Sequence, residues 1–129
     1  MQREKFARRV FTTAGIYGLL ALIPQYFMET RIGQDFPPAI SHPEFYYGFI
    51  GVALAWQVLF LIMAREPVKY RLVMLPATLE KLSVAFAAIA LYAQGRLALI
   101  ALGAGIIDLI FAILFVIAFR ATAHQQSTI

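Results

Sequence analysis

Residues 74–95 read MLPATLEKLSVAFAAIALYAQG, an apolar stretch that is interrupted near its middle by the adjacent charged residues Glu80 and Lys81. The stretch is long enough to cross the roughly 30 Å hydrocarbon core of a membrane, which takes a helix of about 20 residues. A charge inside that core costs about 2.5–3.5 kcal/mol on insertion scales, so such residues normally face other helices and pair with a partner. The two charges therefore predict a spanning helix that is packed inside a bundle.

Three further apolar runs have similar lengths. They cover residues 10–28, 45–64 and 97–119, and the run that contains Glu80 covers residues 72–93. The chain of 129 residues is 61 % hydrophobic and only 14 % charged, whereas soluble domains are about half apolar and about one quarter charged. No run shows the period-two alternation of a membrane β-barrel. We therefore predict an all-α membrane protein, with one four-helix domain over residues 1–129, short loops (29–44, 65–71 and 94–96) and antiparallel neighbours.

Positive charges are distributed unequally between the two ends of the predicted bundle. Arg31 and Arg96 fall at one end, and the other end carries eight cations: Arg3, Lys5, Arg8, Arg9, Arg65, Lys69, Arg71 and Arg120. Cytoplasmic loops are enriched in Lys and Arg, so both termini are predicted to be cytoplasmic. The first run lacks the small-residue cleavage pattern of a signal peptide, and we expect it to be retained. Cations that set the orientation and contact anionic lipid headgroups thus explain the net charge of +4. Nucleic acid is not an expected partner.

This orientation predicts the outcome of cysteine labelling, for which the cysteine-free chain offers a clean background. A cysteine at Gln126 should react with a membrane-impermeant reagent only from the cytoplasmic side, and a cysteine at Gln34 only from the outside. The reverse labelling pattern would contradict the predicted orientation.

Each predicted helix places a polar side chain at a similar depth. At a rise of about 1.5 Å per residue, these groups lie roughly 10–16 Å from the cytoplasmic ends of their helices. They form a candidate intramembrane polar cluster or ligand pocket: Tyr17, Gln57, Glu80, Lys81 and Asp108. The tight turn between the third and fourth spans predicts a Lys81–Asp108 ion pair. Glu80 points about 100° away from Lys81 and is expected to accept a hydrogen bond from Tyr17 or Gln57.

The sequence leaves three roles open for these charges. They could be structural contacts that fix helix register, they could line a pocket for a ligand or substrate, or they could move ions or protons. Lys81 could also extend to the cytoplasmic interface. Small residues that share the faces of the two acidic positions favour close helix packing. These are Ala77, Ser83 and Ala87 around Glu80, and Ala101, Ala104, Gly105 and Ala112 around Asp108.

No motif for a metal, a cofactor or a nucleophile is present in the sequence. His42 and His124 fall on opposite sides of the predicted membrane, so they cannot share a metal ion. We therefore expect no metal, no cofactor and no catalytic residue, which favours a non-enzymatic accessory or interaction protein. The alternative is a binder or transporter of a small hydrophobic molecule or lipid, with a polar pocket in the inner half of the membrane. An enzyme would need a cavity that reaches Glu80 or Asp108.

One stretch carries a family resemblance. It is HPEFYYGFIGVALAWQVLFLIMAREPVKYR at residues 42–71, followed by LEKL at residues 79–82. It resembles the small uncharacterised four-helix bacterial membrane proteins that are grouped with the DoxX-like families. The most specific features are REP with KYR after the second span, and the Glu-Lys pair in the third. The resemblance implies a compact four-helix bundle in a bacterial inner membrane, and it supplies no catalytic residues.

The expected partners are membrane lipid and a second copy of the chain. A bundle of only four helices has a large lateral surface, and its Phe- and Leu-rich faces need not all contact lipid. We therefore expect a homodimer.

Overall fold

The computed structural model describes residues 2–123, and its regular structure over that range is helical, without strands. The α-helices are α1 (Gln2–Leu22), α2 (Glu29–Asp35), α3 (Pro43–Arg65), α4 (Met74–Ala93) and α5 (Leu99–Ala121). Short 3-10 segments at Ile23–Phe27 and Arg71–Val73 extend α1 and precede α4. The segments long and apolar enough to cross a membrane are Gln2–Phe27, Pro43–Arg65, Arg71–Ala93 and Leu99–Ala121. The prediction of an all-α fold with four such segments is confirmed for the described residues.

The first span is longer than its apolar run predicts. α1 begins at Gln2, within the basic segment that precedes residue 10. Arg8 bonds to Glu4 one turn earlier, at 2.7 Å, and such pairs support a helix outside the hydrocarbon core. At Pro24 the regular α-helix does not continue: α1 ends at Leu22 and is followed by a 3-10 segment. Proline lacks the N–H group that another α-helical turn would require.

The predicted loop over residues 29–44 contains a short helix, α2. The Ile32 N–H group donates to the Met28 carbonyl at 2.8 Å, and the Phe36 N–H group donates to the Ile32 carbonyl at 2.9 Å. The hydropathy pattern did not identify α2 because the helix is short and largely polar. The ends of the later spans shift by only one or two residues, which is within the usual disagreement about helix boundaries.

The four long apolar helices form an open arc and not a closed ring. α1 packs along both α3 and α5, and α4 packs on α5, whereas α3 and α4 share no comparable interface. The order around the arc is therefore α3, α1, α5, α4. The first turns of α1 and α4 and the last turns of α3 and α5 meet at one end, which we call the terminal end. The opposite end, with α2 and the α4–α5 turn, is the loop end.

An aromatic core closes the terminal half of the arc. Phe11, Phe60 and Phe115 come from three helices and are fully buried. The Phe115 ring centre lies 4.4 Å from that of Phe11 and 5.1 Å from that of Phe60. Met74 and Ala77 bring α4 into the same cluster. Dispersion contacts between such closely packed side chains are individually small and collectively large, so this core holds four helices together at the terminal end.

The loop half of the arc separates into two helix pairs. Leu22, Ile50 and Ala53 join α1 to α3 in a small cluster of their own. α4 meets α5 where Ala88 packs against Gly105. The two pairs diverge toward the loop end, and a space remains between them.

Candidate functional site

A cavity of about 690 Å³ occupies the space between the two helix pairs. All five residues of the predicted polar cluster line it: Tyr17, Gln57, Glu80, Lys81 and Asp108. Most of the remaining wall is formed by alanine, leucine and other apolar residues. Pockets for small molecules are typically about 300–1,000 Å³, mostly apolar, and contain a few polar groups. The structure thus brings the predicted residues together at a cavity of that kind.

The polar groups lie at the floor of the cavity, next to the aromatic core. The Lys81 ammonium group lies 5.5 Å from the centre of the Phe60 ring and 5.9 Å from that of Phe111. From this floor the cavity extends to Leu91 and Leu97 near the loop end. It therefore extends further than the predicted inner-half pocket. Phenylalanine rings fill the terminal half, whereas the small side chains of the loop half leave space.

Lys81 forms the predicted ion pair with Asp108. Its Nζ atom lies 3.1 Å from Asp108 Oδ1, and the residue is only 3 % exposed. The close approach of α4 and α5 at Gly105 brings the two side chains together across this interface. Hydrogen bonds between ionised groups are roughly twice as strong as neutral ones. The ion-pair prediction is confirmed.

Glu80 does not make the predicted hydrogen bond to Tyr17 or Gln57. Its Oε2 atom is buried and has no hydrogen-bond partner among residues 2–123. The Lys81 ammonium group lies 3.8 Å from it, beyond normal hydrogen-bonding distance. Gln57 instead donates from Nε2 to the Ala53 carbonyl at 2.9 Å. That carbonyl lies one turn earlier on the same helix, so it competes successfully with an acceptor across the cavity.

Gln57 supplies a second buried acceptor beside the cavity. The residue is 1 % exposed, and its Oε1 atom has no hydrogen-bond partner within the described chain. The amide packs against Gly18 of α1, where an added Cβ atom would lie 2.6 Å from Gln57 Cγ. Only glycine leaves room for this amide between α1 and α3. An unsatisfied buried acceptor costs about 1–3 kcal/mol, so the polar floor is incomplete in hydrogen-bonding terms.

A second cavity, of about 350 Å³, lies between α3 and α4 and adjoins the first. Phe49, Val52 and Trp56 of α3 line it opposite Leu79 and Glu80 of α4. Glu80 also lines the first cavity, and Phe49, Val52 and Leu79 are exposed on the outside of the arc. We call this opening the lateral mouth. Sequence reasoning missed it, because an apolar residue on a spanning helix looks the same whether it faces lipid or an opening.

The histidines do not contribute to this site within the described residues. His42 lies at the start of α3, with its Nδ1 atom 3.2 Å from Glu44 Oε1. Across residues 2–123, no group of three or more metal-ligating side chains is arranged to hold a metal ion. His124 and the labelling position Gln126 lie outside the described residues.

Comparison of the chain with protein-family models, with curated proteins and with solved structures finds no significant match. The geometry of the cavity is therefore the basis for assigning a function.

Proposed function

We propose that the protein is a multi-pass membrane protein that binds a small amphiphilic molecule in the cavity between its two helix pairs. The observation that carries this proposal is the 690 Å³ cavity, with an apolar wall and polar groups at its floor. Such a cavity can take a hydrocarbon body along the wall and a polar group at the floor. The proposal is the alternative considered from the sequence, and an accessory protein without a ligand would not require the cavity.

The size of the cavity supports binding because empty space destabilises a bundle. Protein interiors are normally packed as densely as organic crystals, and voids larger than a water molecule are few. Atoms that line a void lose their dispersion contacts on that side. Four helices that only needed to pack together could close this space with larger side chains. An occupant that restores those contacts explains why the wall consists largely of small residues.

The lateral mouth gives the ligand a route from the membrane. Its exposed apolar residues, Phe49, Val52 and Leu79, are compatible with lipid, and Glu80 stands where the mouth meets the main cavity. The aromatic core closes the terminal half, so the geometry favours binding over passage across the membrane. The cavity reaches Glu80 and Asp108, the condition that we stated for an enzyme, but no further observation favours catalysis.

We also propose that the protein lies in a bacterial inner membrane with its terminal end in the cytoplasm. The distribution of Lys and Arg supports this orientation, because the loop end carries only Arg31 and Arg96 outside the spanning segments. The DoxX-like resemblance and the homodimer stay predictions.

Filling the cavity should weaken ligand binding. Ala87 and Ala90, almost one turn apart on α4, are both exposed, but only Ala87 lines the main cavity, and Ala90 belongs to the wall of neither cavity. Ala87→Leu places a branched side chain in the space that the ligand needs. We expect it to weaken binding by about tenfold or more, which corresponds to about 1.4 kcal/mol, while Ala90→Leu leaves binding unchanged. Calorimetry measures both effects, with 1-adamantanol and 1-adamantanamine as ligands and the protein in lipid nanodiscs.

The melting temperatures of both variants serve as the control for folding. Equal binding by Ala87→Leu, Ala90→Leu and the parent protein would contradict the assignment of the cavity as the binding site.

A further inference from the structure

The polar floor of the cavity contains more acceptors than available donors. Lys81 is paired with Asp108 at 3.1 Å, and the amide nitrogen of Gln57 is bonded to a backbone carbonyl. The Tyr17 hydroxyl lines the cavity but bonds to neither free oxygen. Glu80 Oε2 and Gln57 Oε1 therefore stay without a donor among the described residues. Both oxygens are covered by protein, but the Glu80 side chain as a whole is 14 % exposed and lines the cavity. A molecule that complements this floor must therefore supply N–H or O–H groups to the Glu80 carboxyl group.

The charges of the floor favour a positively charged ligand. The described wall contains two carboxyl groups, Glu80 and Asp108, and a single cation, Lys81. With all three groups ionised, the floor has one negative charge in excess. Isolated charges in a low-dielectric environment are strongly unfavourable and normally pair with an opposite charge. One positive charge on the ligand would balance the floor.

We propose, on the basis of the ligand-binding function above, that the ligand is a lipophilic amine whose ammonium group pairs with Glu80. The apolar body lies along the alanine-rich wall toward the loop end. A phosphate next to the amine does not suit the site, because Lys81 is already paired with Asp108 and no second cation stands in the described wall. The ligand class is therefore an amine without a neighbouring anionic group.

Four probes that share one apolar body separate charge from hydrogen-bond donation. 1-Adamantanamine carries a positive charge and N–H donors, and 1-adamantanol carries a donor without charge. The N,N,N-trimethyl derivative of the amine carries charge without donors, and 1-adamantanecarboxylate carries the opposite charge. In nanodiscs of phosphatidylcholine at pH 7, the amine should bind about tenfold more tightly than the alcohol, because hydrogen bonds between charged groups are the stronger ones. The trimethyl derivative should bind more weakly than the amine, and the carboxylate should bind weakest.

Glu80→Gln tests the residue itself. This variant removes the charge and keeps the shape, and it breaks no hydrogen bond to Oε2. The amine should then bind no better than the alcohol. Glu44→Gln, at an exposed carboxylate outside both cavities, should keep the full preference for the amine. If Glu80→Gln does not fold, the ranking of the four probes on the parent protein still decides the question.

The outcomes separate this proposal from the proposed function. Equal affinity for amine and alcohol, or an unchanged preference in Glu80→Gln, would overturn the amine assignment while a bound apolar body still supported ligand binding. Tight binding of the carboxylate would overturn it in the same way. Displacement of the amine by phosphatidylethanolamine in the nanodisc would overturn the restriction to amines without phosphate. Binding of none of the four probes would refute the proposed function itself.

Discussion

Lys81→Met should lower the free energy of unfolding by about 3–5 kcal/mol, the range typical of removing one partner from a buried ion pair in a soluble protein. Values in membranes can be smaller, because the unfolded chain also finds partners there. The substitution leaves two carboxylates, Asp108 and Glu80, within reach of the vacated position without a cation. Asp108→Asn should lower the free energy of unfolding by less than Lys81→Met does. Lys81 still has the Glu80 carboxylate 3.8 Å away, and the asparagine oxygen can still accept a hydrogen bond from Lys81.

Combining the two substitutions should recover much of the loss and give a clear coupling energy in a double-mutant cycle. Reversible unfolding in bicelles or nanodiscs measures all four proteins. Lys69→Met is the matched control, because Lys69 is exposed and forms a surface ion pair with Glu66 at 2.8 Å. Such a surface pair contributes about 0–1 kcal/mol. If the losses of unfolding free energy in the two single variants simply add in the double variant, the ion pair contributes nothing to stability. If the double variant is stable but no longer binds the probes, the two charges serve ligand binding.

Gly105→Ala should destabilise the protein by about 1–3 kcal/mol, the usual effect of overpacking a close contact. The added methyl group would collide with the Cβ atom of Ala88, and the Cα atom of Ala85 lies 3.9 Å away. Relief of the collision requires α4 and α5 to separate, which would also stretch the Lys81–Asp108 pair. Both the packing and the electrostatic contribution of this interface should therefore weaken together.

Gly103→Ala is the matched control on the same helix. Its added Cβ atom would meet no atom within 4 Å, and alanine is a better helix former than glycine by about 1 kcal/mol. We expect Gly103→Ala to be neutral or slightly stabilising in the same unfolding measurement. Ala88→Gly combined with Gly105→Ala should restore part of the lost stability. Equal effects at positions 103 and 105 would contradict the close helix contact.

The sequence predicted those features that depend on composition and on short connections. Runs of apolar residues located the four long apolar helices, because a helix needs about 20 such residues to cross the hydrocarbon core. The Lys81–Asp108 pair was predictable because a tight turn makes α4 and α5 neighbours, and because a charge at this depth needs a partner. Helix α2 was not predictable from hydropathy, since a short polar helix resembles a loop.

The remaining features depend on distances between helices, which hydropathy does not contain. Gln57 donates to a carbonyl one turn earlier on its own helix and not to Glu80. Local contacts at Gly18 and Gly105 tie α1 to α3 and α4 to α5 as separate pairs, and the cavity lies between these pairs. The small residues around Glu80 and Asp108 indicated close packing, yet several of them line open space.

A molecule that reaches the cavity through the lateral mouth arrives from the bilayer and not from water. Its partitioning from water into lipid contributes about 0.8 kcal/mol for each methylene group to the free energy of binding measured from water. One added methylene that touches no protein atom would thus lower a dissociation constant referred to water by roughly fourfold. A constant referred to the mole fraction in lipid would not change. Occupancy of the protein would consequently fall when more lipid is added at constant ligand, even if the aqueous volume stays the same.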